Sequence, residues 1–164
     1  MIELTQWLAG LPVGQALRRM FWIIPWLQAL HILANATLLS AIIMIDLRIW
    51  GFSQTQSVAE RARRFQPWIW ASLLVLTLTG VLLMTVTPRR TLLDITFQTK
   101  MVVTAIAVVA TVVLQFVLRP TVVVWDKKSV ARAMGGTLAT LAFVLWMGAT
   151  LAGRGRWVGI MLGR

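Results

Sequence analysis

The chain has 164 residues, of which 59% are hydrophobic and only 13% charged, with a mean hydropathy of +0.80. A water-soluble domain has about 45–50% apolar and about 25% charged residues. A globule this small has too much surface to hide the excess, so lipid must solvate much of the chain. Sixteen Lys and Arg against five Asp and Glu give a net charge of +11. The positives sit in short segments between apolar runs, so the expected partner is a bilayer with anionic head groups and not nucleic acid. Cysteine is absent, which excludes disulfides, thiolate metal sites and a cysteine nucleophile.

The N-terminal stretch MIELTQWLAGLPVGQALRR is broken by Gly10, Pro12 and Gly14. It lacks the charged start and short apolar run of a cleaved leader. It reads as an amphipathic, uncleaved interfacial segment with Trp7, Leu8 and Leu11 on lipid. A spanning helix needs about 20 predominantly apolar residues, and four stretches qualify: 21–47, 68–86, 95–118 and 133–152. The second opens with Pro67 in the first-turn position that proline tolerates. The third closes at Pro120. It is rich in Val and Thr, but its length and lack of alternation favour a helix, since a lone strand cannot satisfy its backbone in lipid.

The expected fold is therefore all-α: a single-domain integral membrane four-helix bundle over residues 1–164, with both termini on one face. Trp22, Trp26, Trp50, Trp68, Trp70, Trp125 and Trp157 fall near predicted helix ends, as an aromatic belt at the head groups requires. Trp146 alone lies well inside a span. The terminal face, A, carries eight Lys and Arg and the opposite face, B, also eight, so positive-inside bias leaves the orientation open. Short loops make consecutive helices antiparallel neighbours. Thr104, Ala107 and Thr111 on the third helix, and Gly136 and Thr140 on the fourth, form small-residue stripes for close approach.

Gln28, His31 and Asn35 are spaced i, i+3, i+7 and form one polar stripe on the first helix. His31 is the only histidine. It reads either as a neutral histidine hydrogen-bonded to a neighbouring helix, or as a cofactor ligand or proton-handling group. Thr79, Gly80, Lys100 and Trp146 are expected at similar depth. Gly80 opposite a histidine leaves room for a flat ligand or for close helix packing. Lys100 either snorkels to the head groups or meets an anionic ligand or a carbonyl. The cofactor-binding candidates are thus His31, Gln28, Asn35, Gly80, Lys100 and Trp146.

At the far end of the first helix Asp46 and Arg48 are expected to form an interfacial ion pair, with a proton or cation entry site as the functional alternative. Arg61, Arg63, Arg64, Lys127, Lys128 and Arg132 are expected to face lipid phosphates. No acid–histidine–nucleophile set, carboxylate pair or HExxH spacing is present, which points to a protein that is not an enzyme. One histidine rules out a bis-histidine haem within the chain. A haem would need His plus Met, a five-coordinate iron or a second copy. A chlorophyll-type pigment needs a single axial ligand, and a quinone needs none.

Across nearly its whole length the chain resembles a family of small bacterial four-helix integral membrane proteins, loosely similar to copper-resistance D-type membrane proteins. The segments that carry the resemblance are WLAGLPVGQALR, IIPWLQALHILA with His31, IDLRIWGF with Asp46 and Arg48, ARRFQPW, LTLTGVLL with Gly80, FQTKM with Lys100 and LAGRGRWVG. Gln28 stands where a glutamate is expected before the histidine, and Gly155-Arg156 departs from the expected spacing before Trp157. The resemblance implies a multi-pass protein of the bacterial inner membrane and carries no activity. The expected role is a non-catalytic accessory subunit of a larger bioenergetic membrane complex, holding other membrane subunits and a haem, quinone or pigment near His31. The alternatives are a stand-alone haem- or quinone-binding protein and a small oligomeric transporter.

Overall fold

The computed structural model describes residues 2–52, 58–125 and 129–152, and within them all side chains except those of residues 2, 4, 59, 89–90, 116–125, 129–135 and 152. Among the described residues the chain is all-helical, with no strand. Two short helices, α1 (Ile2–Gly10) and α2 (Pro12–Arg19), precede α3 (Ile23–Ile49) and α4 (Val58–Val86). A one-turn helix, α5 (Pro88–Leu92), links α4 to α6 (Ile95–Trp125), and α7 (Ser129–Ala152) completes the fold. Three apolar stretches, in α3, α4 and α6, are long enough to cross a membrane, and α7 contributes a shorter one, Gly136–Leu151.

The side-chain distribution is the reverse of a water-soluble bundle. Apolar residues in mid-helix face outward on every long helix, among them Leu33, Leu74, Leu78, Val102, Ile106, Leu141 and Val144. A continuous exposed apolar belt of this kind marks a surface for lipid or for a protein partner. Inside lie Ser72, Thr79, Thr85 and Thr111, together with a run of small residues: Ala34, Ala41, Ala107, Ala110, Ala139, Ala142 and Ala149. Small residues let helix backbones approach where lipid gives little hydrophobic drive. The larger core residues are Leu38, Ile42, Ile45, Ile69, Leu114 and Trp146. The expected stripe on α6 is inward, with Ala107 and Thr111 buried and Thr104 half-buried.

α3 packs along both α4 and α7, and α6 packs along α7, whereas α4 and α6 meet only locally. Gln66 Nε2 of α4 donates to Gln115 Oε1 of α6 at 3.2 Å. The consecutive pairs α3–α4 and α6–α7 are therefore the neighbours that short loops favour. The middle pair is not, because α7 takes the place beside α3.

The helix ends follow local rules, and two of them correct the sequence reading. α4 begins at Val58, so Pro67 lies inside the helix and not at its first turn. Residues 58–66 contain two alanines and the Glu60/Arg64 pair at i, i+4, all good helix-supporting features. The Arg63 carbonyl that Pro67 leaves without a donor belongs to an exposed residue. Likewise α6 continues through Pro120 to Trp125.

α3 ends as a Schellman motif. Phe52 N–H bonds Leu47 O at 2.9 Å and Gly51 N–H bonds Arg48 O at 3.1 Å, with Gly51 at φ +98°, a conformation that costs other residues about 1 kcal/mol or more. α6 starts on Asp94, whose Oδ1 accepts the Thr96 N–H at 2.9 Å, as an N-cap should.

The N-terminal segment is held by one arginine. Arg18 Nη1 donates to Thr85 O (2.8 Å) and Val86 O (3.2 Å), and Nη2 to Ala9 O (2.7 Å). A single guanidinium thus satisfies carbonyls at the C-terminal ends of both α4 and α1, where a cation also suits the helix dipole. Gly14 lets α2 lie this close: a Cβ there would stand 2.6 Å from Thr85 O. That oxygen is backbone and has no rotamer by which to yield. Gly14→Ala is expected to lift α2 from α4 and break the Arg18 contacts, read as faster proteolysis of residues 1–20 with the four long helices intact. Trp7, Trp22, Trp26, Trp50, Trp68 and Trp70 are exposed, while the side chain of Trp125 and all of Trp157 lie outside the described residues.

Candidate functional site

The polar residues inside the bundle are organised by one repeated device. A threonine donates its hydroxyl proton to the carbonyl four residues back on its own helix. Its oxygen then accepts an N–H from the facing helix. Thr79 donates to Val75 O at 2.6 Å and meets His31 Nδ1 at 2.7 Å. Thr150 donates to Trp146 O and accepts from Asn35 Nδ2 at 3.0 Å. Thr111 donates to Ala107 O and accepts from Trp146 Nε1 at 2.9 Å. Thr140 donates to Gly136 O and accepts from Trp50 Nε1 at 3.1 Å.

These four contacts join α3 to α4, α3 to α7 twice, and α6 to α7. The three inside the bundle each remove an N–H that would otherwise be left unpaired in an apolar interior, whereas the Trp50–Thr140 contact is exposed.

The device fixes the tautomer of His31. The Thr79 hydroxyl has one proton, and it goes to Val75 O. Thr79 therefore accepts from His31, whose Nδ1 carries the ring proton. Nε2 then carries the lone pair, and among the described residues the ring's one hydrogen bond is that of Nδ1. This is the arrangement that prepares an imidazole as a ligand: one nitrogen oriented by a neighbour, the other open.

His31 is half-buried, eight residues past the start of α3, and so about 12 Å along it at 1.5 Å per residue. A Cβ on Gly80 would meet only His31 Cε1, at an ordinary contact distance of 3.6 Å, so Gly80 lies against the edge of the ring and an alanine would also fit there. His31 of α3 and Gly80 of α4 are thus brought together, while Lys100 makes no hydrogen bond to either of them among the described residues.

The other candidates go elsewhere. Gln28 is exposed on the outer surface of α3. Asn35 turns to α7 while His31 turns to α4, so the stripe of three is a seam between two neighbours and not one site. Trp146, 3% exposed, lies against Thr111 of α6, deeper in the bundle than His31, where it packs in the core. Thr79 was expected at this depth. Thr150 carries no feature of its own that distinguishes it from the other threonines; only its register opposite Asn35 gives it a role.

At the other end of α3, Asp46 is fully buried and neither carboxylate oxygen has a hydrogen-bond partner among the described residues. The expected pair with Arg48 does not form. Two residues apart on a helix means about 200° around its axis, so Arg48 leaves on the other side. Arg61 reaches Met44 O through Nη1 at 3.5 Å, and Arg63 and Arg64 are exposed. Lys127 and Lys128 lie outside the described residues, as does the Arg132 side chain. Among the described residues no group of three His, Cys, Asp or Glu side chains is placed to hold a metal ion. No protein-family model matches the chain, and no curated protein or solved structure matches it either.

Proposed function

We propose that this is a multi-pass protein of the bacterial inner membrane, a four-helix bundle with both termini on one face. It does no chemistry of its own and serves as an accessory subunit of a larger bioenergetic membrane complex, with His31 as the anchor for a haem, a quinone or a chlorophyll-type pigment. The outward apolar belt supports the membrane setting. The observation that carries the site is the commitment of His31 Nδ1 to Thr79, which leaves Nε2 unused by that contact, with Gly80 against the ring at Cε1.

The residues fit each ligand class. A metal-centred ring would take Nε2 as its one protein ligand from this chain, with Lys100 available to a peripheral carboxylate. A quinol hydroxyl would donate to Nε2, and a quinone carbonyl would accept from Lys100. The exposure of Gln28 counts against an internal transport path lined by the stripe.

The absorption spectrum of the gently purified protein tests this reading. A Soret or far-red band, or a bound quinone in the extract, is expected and should be lost in His31→Ala. That substitution removes one interhelical hydrogen bond, worth about 0.6 kcal/mol, so the variant should still fold. A colourless, ligand-free protein that copurifies with fixed partners would leave only the subunit role. A colourless, partner-free oligomer would favour transport.

A further inference from the structure

The most demanding polar group in the fold is one the His31 site does not use. Asp46 has 0% exposure and shares its face of α3 with Ile42, Ile45 and Ile49, all buried. Both carboxylate oxygens are without a hydrogen-bond partner among the described residues. An ionised carboxylate in such surroundings is strongly disfavoured unless something compensates its charge.

Among the described residues, no charged side chain on the elements packed around it hydrogen-bonds the carboxylate. On α4, Glu60, Arg63 and Arg64 are exposed, and Arg61 is directed to the Met44 carbonyl. The stretch of α7 from Gly136 to Leu151 has no charged residue, and on α6 up to Gln115 the one charge is Lys100, near the start of that helix. Arg48 leaves α3 on the opposite side. The side chains of Arg119 and Arg132 lie outside the described residues. A second polar atom in the same half of the bundle, Gln115 Nε2, is also buried without a partner. Hydrogen bonding by the protein alone is thus incomplete there at two places.

We propose that Asp46 takes its counter-charge from outside the chain and is an uptake site for a small monovalent cation, either a proton or an alkali-metal ion, reached from face B. This does not depend on what His31 binds. Intramembrane acids that lack a protein partner are the usual carriers of such ions.

Infrared spectroscopy of the protein in lipid vesicles, with and without sodium and over a pH series, reads the carboxyl directly. If the occupant is a proton, the native protein shows a protonated carboxyl C=O band. That band is indifferent to sodium, disappears as pH rises and is completely lost in Asp46→Asn. If the occupant is an alkali ion, the carboxylate bands shift on adding sodium, and sodium raises the unfolding midpoint of the native protein but not of Asp46→Asn. Carboxylate bands that respond to neither sodium nor pH would overturn the proposal by showing a carboxylate paired within the chain. The sodium and pH difference spectra of the native protein need no variant, and Asp46→Glu, which moves the band without removing it, covers the case in which Asp46→Asn does not fold.

Discussion

Leu74→Arg is expected to cut the yield of membrane-inserted protein severely. Leu74 is 62% exposed in the middle of α4. On a water-soluble helix an arginine at so exposed a position would change stability by less than about 0.5 kcal/mol. At the centre of a spanning helix the same residue costs about 3 kcal/mol, roughly a hundredfold in an equilibrium. Phe52→Arg is the matched control. Phe52 is also exposed but lies just past the end of α3, where the guanidinium reaches the head groups, so little change is expected. Comparing the membrane-fraction yields of the two variants checks this. Equal yields would mean that the outward apolar belt does not face lipid.

Trp146→Ala is expected to destabilise the folded bundle by about 3 kcal/mol, at the low end of the range for truncating a buried Trp. Trp146 belongs to the buried cluster that also holds Ala107, Leu114 and Ala139, and its Nε1 donates to Thr111. In lipid the transfer part of the loss shrinks, since the unpacked helix is still in an apolar medium. The cavity and the lost dispersion contacts remain.

Trp146→Phe separates packing from hydrogen bonding. It keeps most of the ring contacts and gives up one hydrogen bond, so its loss should be about 0.6 kcal/mol. Unfolding of both variants in mixed micelles provides the measurement. If the Phe variant were as unstable as the Ala variant, the Trp146–Thr111 bond and not packing would hold α6 to α7.

The apolar runs were legible because a span is a bulk property of about 20 residues, and local errors average out over that length. The helix ends were less so. Pro67 was read as a start because proline is tolerated there, but the residues before it favour helix and its orphaned carbonyl lies at an exposed residue. Proline position alone does not weigh those terms. His31 stands out as a lone histidine in an apolar run, and Gly80 lies against its ring.

Other features depend on register between helices, which periodicity along one helix does not contain. Asn35 shares a face with His31, yet the two lie on either side of a seam. Thr150 and Thr111 look like any threonine until Asn35 and Trp146 are placed opposite them. The Asp46–Arg48 pair was suggested by adjacency in sequence, although a two-residue step turns side chains away from one another. Arg18 joins two helix ends, a contact spanning 67 residues that no local pattern announces.

The membrane topology is tested most directly by single cysteines, because the native chain has none to remove. Gly10→Cys and Phe52→Cys place one thiol on each side of α3, both at exposed positions. With an impermeant maleimide on sealed vesicles of known orientation, the expected result is that the two positions are labelled from opposite sides of the membrane. Labelling of both from the same side would show that α3 does not cross the bilayer.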